Sequence, residues 1–453
     1  MTRIPAEEIL PTLKRYMLVD GYEFVLDIEK SKGQYIHDAL TKRKYLDLFG
    51  FHASAPIGHN HPGLFTPEFT EKLLRVARIK PSNSDLYTEE MAEFVTTFSR
   101  IVQPDYLPHL FLISGGTLAV ENALKTAFDW KVRKNFAKGH TNEVGHQVIH
   151  FQEAFHGRSG YTLSMTNTAD PRKIKYFTCF EWPRIVNPKI TFPLDEANLD
   201  KVMSLENKAV TEIKQAFSEY GDDIAAIIIE PIQGEGGDNH FRPEFLSELR
   251  QLADENEALL IFDEIQTGVG LTGEMWAHQG LGVKPDILVF GKKTQVCGIL
   301  AGERIDEVED NVFQEGSRLN STWGGNLVDM VRSQRYLEII KEDNLVMNAR
   351  RKGTNFLERL QKLVQEIGDG IASNVRGRGL MIAFDLPNTK LRDEFLELCF
   401  QNGLLTFGCG SRSVRFRPML DIEKVELNKA LYVIEKSLRE LIALHKNDVV
   451  EAA

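Results

Sequence analysis

Residues 259–300, LLIFDEIQTGVGLTGEMWAHQGLGVKPDILVFGKKTQVCGIL, constrain this chain more than any other stretch. Two short apolar runs, 259–262 and 287–290, are bounded by turn residues, and each ends on charge: Asp263 and Glu264 after the first, Lys292 and Lys293 after the second. Runs of this length read as buried parallel strands that carry polar side chains to one rim of a sheet. In open α/β sheets that rim is where ligands sit. A carboxylate and an amine at neighbouring strand ends suit the two poles of pyridoxal phosphate, whose aldehyde takes a lysine and whose pyridine nitrogen takes an acid. Lys292 and Lys293 compete for the first role, because adjacent side chains at a strand end point opposite ways.

At 453 residues the chain is long enough for two or three domains with a large core. A net charge of −11 gives no general attraction to nucleic acid or anionic lipid. No apolar run approaches the roughly 20 residues of a membrane span, and the opening MTRIPAEEILPTLKRYM lacks the apolar core of a secretory signal. Cys179, Cys297, Cys399 and Cys409 are widely spaced and form no CxxC pair, so neither a disulfide framework nor a zinc site is indicated. A cytoplasmic protein with reduced thiols is expected.

Residues 1 to about 60 read as an extended, hairpin-rich lead-in, with turns at Lys32-Gly33 and Thr41-Lys42. The histidines of GHNHP, His59 and His61, have no carboxylate at ligand spacing and read as a structured turn rather than a metal site. Further on, HLFLISGG followed by TLAVENALKTAFDWK gives strand, glycine turn and helix. That geometry aims free N–H groups and the positive helix end at a phosphate. Ser114, Gly115, Gly116 and Thr117 would form the cradle, although the loop alone is equally a tight turn. HQVIHFQEAF then runs into HGRSGYT and sets Phe155 and Arg158 beyond a strand end, where an aromatic can stack on a heterocycle and an arginine can grip a carboxylate. By themselves the two read rather as a core Phe and a surface Arg. DIAAIIIEPIQGEGGDNHF brings Glu230, Gln233 and Glu235 to the same rim. Alternation of strands and helices implies an α/β fold with a mostly parallel sheet. Past the polar loop RLNSTWGGN, a long helical run from Leu327 leads to a smaller α/β unit, with Arg415 and Arg417 at the end of a strand pattern. The final 447–453 are expected to fray.

DEIQTG, FGKK and STWGGN, with AFHGR and EPIQGEGGDNHF upstream, resemble the class III (omega) aminotransferases, fold-type I pyridoxal-phosphate enzymes. The resemblance covers nearly the whole chain. It implies a large cofactor-binding domain over 61–327, a small C-terminal domain over 328–453, and an N-terminal segment (1–60) packed with the small domain. Within the class, FGKKTQVCG, HFRPEF, AFHGRSGYTLSMTN, SGGTLAVENALKTAFDWK and KPSNSDLY are similar to members that move the terminal amine of L-lysine to 2-oxoglutarate; the 4-aminobutyrate members share EGGDNH, FHGR and VRFRP.

Carried over, the resemblance assigns Lys292 to the cofactor aldehyde, Asp263 to the pyridine nitrogen and Gln266 to the ring hydroxyl. Phe155 would stack on the ring, and Gly116 and Thr117 would hold the phosphate. Thr322 would reach the phosphate of the partner subunit's cofactor, which implies a homodimer. Arg158 would take the distal carboxylate of either substrate and Arg415 the proximal carboxylate of 2-oxoglutarate. Glu235 would pair with Arg415 when lysine is bound and swing away for 2-oxoglutarate, because an unpaired buried arginine facing a methylene chain is costly. One departure is visible: the loop reads ISGGT, with Ser and Thr where small and acidic residues are expected. A non-catalytic nucleotide-binding α/β protein is the alternative from another class, but the chain lacks a dinucleotide fingerprint.

Overall fold

The computed structural model describes residues 4–367 and 370–445, so the expected fraying of 447–453 lies outside the described residues. Its centre is a seven-stranded sheet. In spatial order the strands are His109–Ile113, Cys297–Ala301, Ile287–Phe290, Leu259–Asp263, Ile224–Ile229, Gln147–Phe151 and Arg184–Ile185. Cys297–Ala301 pairs antiparallel with both of its neighbours, and the remaining pairings are parallel.

The apolar runs are continuous because both sheet faces are covered. Ile261 and Val289 face the Gly116–Ala137 helix side, in a core with Ala119, Ala123 and Ala127. Leu260 and Phe262 point the other way, toward Ile213, Phe217, Phe245 and Leu249 on Glu196–Tyr220 and Pro243–Glu255. This is the two-residue alternation of a pleated strand.

The C-terminal part forms a four-stranded sheet in the order Ser373–Arg378, Met381–Asp385, Ser413–Phe416, Phe407–Cys409, and every pairing is antiparallel. Leu345–Ile367, Thr389–Gln401 and Lys424–Leu444 supply its helices. The helical run from Leu327 is two helices: Leu327–Glu342 ends before Asn344, whose φ of 53° breaks the helix ahead of Leu345–Ile367.

The N-terminal segment contains the hairpin Tyr35–His37/Lys44–Asp47, and Leu404–Leu405 extends it as a parallel third strand. The lead-in differs from expectation at Ala6–Lys14, which is helical; Glu7 and Glu8 in its first turn and Lys14 in its last complement the helix dipole. In the GHNHP turn, His59 Nε2 lies 2.9 Å from Asp47 Oδ2 and His61 Nδ1 accepts from the Gly63 N–H.

Candidate active site

At the C-terminal rim of the sheet lies a cavity of about 220 Å³ lined by Gly116, Thr117, Phe155, His156, Gly157, Glu230, Asp263, Ile265, Gln266 and Lys292. The strand register builds it. Val289 sits beside Asp263 in the parallel ladder, so the chain leaving Phe290 turns over the aspartate. Gly291 and Lys292 make that turn, Lys292 with φ 53°, a conformation that costs a side-chain-bearing residue of order 1–3 kcal/mol.

The two lysines part there. The Lys293 side chain is buried and its Nζ donates to Ala53 O at 2.8 Å. Lys292 lines the cavity, with no side-chain hydrogen bond among the described residues. Burial holds the Lys292 amine below the usual lysine range, with Asp263 acting against that shift and Arg415 adding to it. Burial lowers Lys293 much further, helped by Arg417 and Lys292. Both effects follow from the cost of a charge away from water.

Asp263 is fixed from two sides. Its Oδ1 accepts from the Ile265 N–H at 3.1 Å, and its Oδ2 lies 2.9 Å from His156 Nδ1. His156 is buried and its Nε2 has no partner among the described residues. Glu264, the other acid of the pair, turns away; it accepts from the Ala277 and His278 N–H groups and from Thr267 Oγ1. Glu230 accepts from the N–H groups of Phe155 and Gly234, and burial, with Asp263 nearby, pushes it up to about 7.

The glycine loop is a cradle. Gly115 has φ 101° and Gly116 opens the 22-residue helix, so that helix's first N–H groups end at the cavity. Across it, Gly157 has φ 134°, and a Cβ there would lie 2.5 Å from Thr117 Oγ1. Ser114 and Gly115 themselves are exposed.

The arginines form a second group. Arg415 and Arg417 are buried, and both donate to Gln266 Oε1 at 3.1 Å; Arg417 also pairs with Asp238 at 2.5 Å. Arg415 stacks on Phe407, with its Cζ 4.2 Å from the ring centre, and its Nε is buried without a partner. Glu235 pairs with Lys173 rather than with Arg415. Gln233 serves structure, binding the Asn187 and Asn239 amides and the Gln152 carbonyl. Arg158 and Thr322 are exposed and line no part of the cavity.

Three residues of this region carried no assignment from the sequence. His156 lies inside the quoted AFHGR, but its partner is 107 residues away. Lys173 pairs with a residue 62 positions on. His52 packs edge-on against Phe407 at 5.3 Å, and burial, with Arg415 and Lys292 adding to it, pushes its imidazole down to about 4. Among the described residues no cluster of His, Cys, Asp or Glu could hold a metal ion.

The Aminotransferase class-III family model matches residues 16–438. The L-lysine-epsilon aminotransferase of Mycobacterium tuberculosis H37Rv is 50% identical over 433 residues, covering 95% of each chain. That of Streptomyces clavuligerus is 46% identical over 436 residues, covering 96% of this chain and 94% of its own. The structure of the M. tuberculosis lysine aminotransferase in its internal aldimine form matches with a TM-score of 0.94 at 49% identity, over 97% of this chain and all of that one.

Proposed function

The chain belongs to the class III aminotransferases, and we propose that it moves the ε-amine of L-lysine to 2-oxoglutarate with pyridoxal phosphate as cofactor, yielding 2-aminoadipate 6-semialdehyde and L-glutamate. The observation that carries transamination is an unpartnered amine, Lys292, facing the same cavity as a doubly anchored carboxylate, Asp263. The choice of lysine is supported by the 46–50% identical relatives.

The residues fit the cofactor. The Gly115–Gly116 turn and Thr117 offer a phosphate cradle that a Cβ at Gly157 would crowd. Phe155 lines the cavity with an aromatic face, Gln266 brings an amide, and Asp263 brings a carboxylate. When bound, pyridoxal phosphate supplies an aldehyde for the substrate amine and a ring that withdraws electrons from the carbon that bore it.

The chain's own part is proton control. Because burial disfavours its charged form, Lys292 Nζ accepts a proton from the substrate's ε-carbon more readily than an ordinary lysine would. Asp263 holds a proton on the ring nitrogen, and the contact with His156 keeps its carboxylate aimed. Arg415 takes the proximal carboxylate of 2-oxoglutarate and Arg158 the distal carboxylate of either substrate. Glu235 is the group that shields Arg415 when lysine is bound.

We also assign a homodimer in which Thr322 serves the partner subunit's phosphate site. Large apolar side chains exposed in one chain near that loop support it: Leu86, Tyr87 and Trp323. We also propose 61–327 as the cofactor domain and 328–453 as the small domain, with 1–60 packed with the latter; the separate seven- and four-stranded sheets and the pairing of Leu404–Leu405 with Lys44–Asp47 support this division. Among the described residues no helix is long and apolar enough to cross a membrane, and four free cysteines suit a reducing cytoplasm.

The test is product identification from lysine and 2-oxoglutarate. Loss of the ε-amine is expected; a product that has lost the α-amine would overturn the reading. Faster single turnover with 4-aminobutyrate than with lysine would favour the 4-aminobutyrate reaction.

A further inference from the structure

Glu235 feels two cations of different character, Lys173 and Arg415. One carboxylate oxygen pairs with Lys173 Nζ, and the other is buried without a partner. The second cation is Arg415, which donates to Gln266, the side chain pressed against Gly234 next to Glu235; its buried Nε is also unpartnered, burial lowers the guanidinium, and Glu235 is among the charges that offset this. The backbone of Glu235 has no freedom to move between them. Its carbonyl accepts from the Gly410 N–H at 2.7 Å. A Cβ at Gly236 would lie 2.0 Å from Glu153 O, and one at Gly234 would lie 2.4 Å from the Gln266 side chain, so both flanking residues are pressed against neighbours. Any exchange of partner is a rotation of the Glu235 side chain alone.

Lys173 is held for this role. It follows Asp170, whose carboxylate caps the short turn Pro171–Lys173. Its Nζ also reaches Thr168 Oγ1 at 3.3 Å and lies 5.7 Å from the centre of the Phe155 ring, beside the cavity. The side chain is 14% exposed, so its pairing with Glu235 is only weakly screened.

We propose that Lys173 is the second dock of a two-position switch: it holds Glu235 off Arg415 so that a dicarboxylate can take the arginine, and releases it when lysine is bound. The inference rests on the reading of Glu235 given above, and adds the residue that sets the balance between its two positions. Without Lys173 the parked carboxylate would be a half-buried charge lacking a partner, and Arg415 would recapture it. Lys173 is therefore a positioning residue that favours the 2-oxoglutarate half-reaction without touching that substrate.

The holoenzyme carrying Lys173→Met, Glu235→Gln, or both tests this. Glutarate, a dicarboxylate with no group to react, is titrated by calorimetry, and single-turnover rates are measured for lysine and for glutamate. Lys173→Met is expected to weaken glutarate about 10-fold while changing the lysine reaction less than about 2-fold. In the Glu235→Gln background the same change should add less than about 2-fold, and Lys173→Arg should restore glutarate binding. Equal losses for both substrates would overturn the proposal. So would an undiminished loss in the Glu235→Gln background, which would mean that Lys173 touches the dicarboxylate itself. If Glu235→Gln alone does not impair lysine more than glutamate, the switch falls and the dock with it; if it does but Lys173→Met is silent, only the dock falls.

Discussion

At the scale of single residues, the sharpest contrast is between two adjacent lysines in the same buried turn. Lys292 has a cavity before it, while Lys293 has a carbonyl. Lys292→Ala is expected to lower both half-reactions by about 10³-fold or more, because a proton acceptor and the attachment point are lost together. Lys293→Met should leave single-turnover rates within about 10-fold and cost about 1–2 kcal/mol in denaturant unfolding, the penalty for leaving Ala53 O unpaired.

Glu230 gives a pH prediction. Its carboxyl is raised from 4.5 to about 7 in the fold, so its contribution to stability is fully present below 4.5 and is lost as pH rises through 7. Over that window the loss is about 3 kcal/mol by linkage. Thermal midpoints of Glu230→Gln, which cannot ionise, should therefore fall less between pH 4.5 and 7 than those of the parent. Parallel curves would mean that Glu230 ionises in the fold as an ordinary carboxyl does.

Among the elements, the close approaches are made by glycines. Gly157 meets Thr117 across the cavity, and Gly353, in the Leu345–Ile367 helix, lies where a Cβ would be 2.0 Å from Gly379 O. Gly157→Ala is expected both to weaken cofactor retention, read as the pyridoxal phosphate concentration needed for half-maximal activity, and to lower the melting midpoint, because a Cβ at φ 134° is strained and meets Thr117 and Thr162. Gly353→Ala should lower the melting midpoint with little change in cofactor retention, since it wedges a helix from its sheet.

Elements also explain what could be read from the chain beforehand. The runs 259–262 and 287–290 are local signals, and their charged ends fixed which residues reach the rim. The rest depended on distant pairings. Nothing near Ser373–Arg378 or Ser413–Phe416 tells parallel from antiparallel partners, so the all-antiparallel small sheet was not evident. The Ala6–Lys14 helix carries a proline inside it at Pro11, which masks its pattern. His156, Lys173 and His52 acquire meaning only through contacts made in three dimensions.

For the whole molecule, the assignment of Thr322 makes each active site a joint product of two chains. Thr322 is exposed in the single chain and lies outside the cavity. Mixing Lys292→Ala subunits with Thr322→Ala subunits under exchange conditions should recover about a quarter of the parent sites, because one site of each mixed dimer is then intact. Absence of recovery in verified mixed dimers would confine Thr322 to its own chain.

The chemistry proposed for this protein turns on one amine, that of Lys292. The most direct measurement is borohydride reduction of the pyridoxal-phosphate-loaded protein followed by peptide mapping. A single pyridoxyl group on Lys292 is predicted; a label on Lys293, or no covalent label at all, would contradict it.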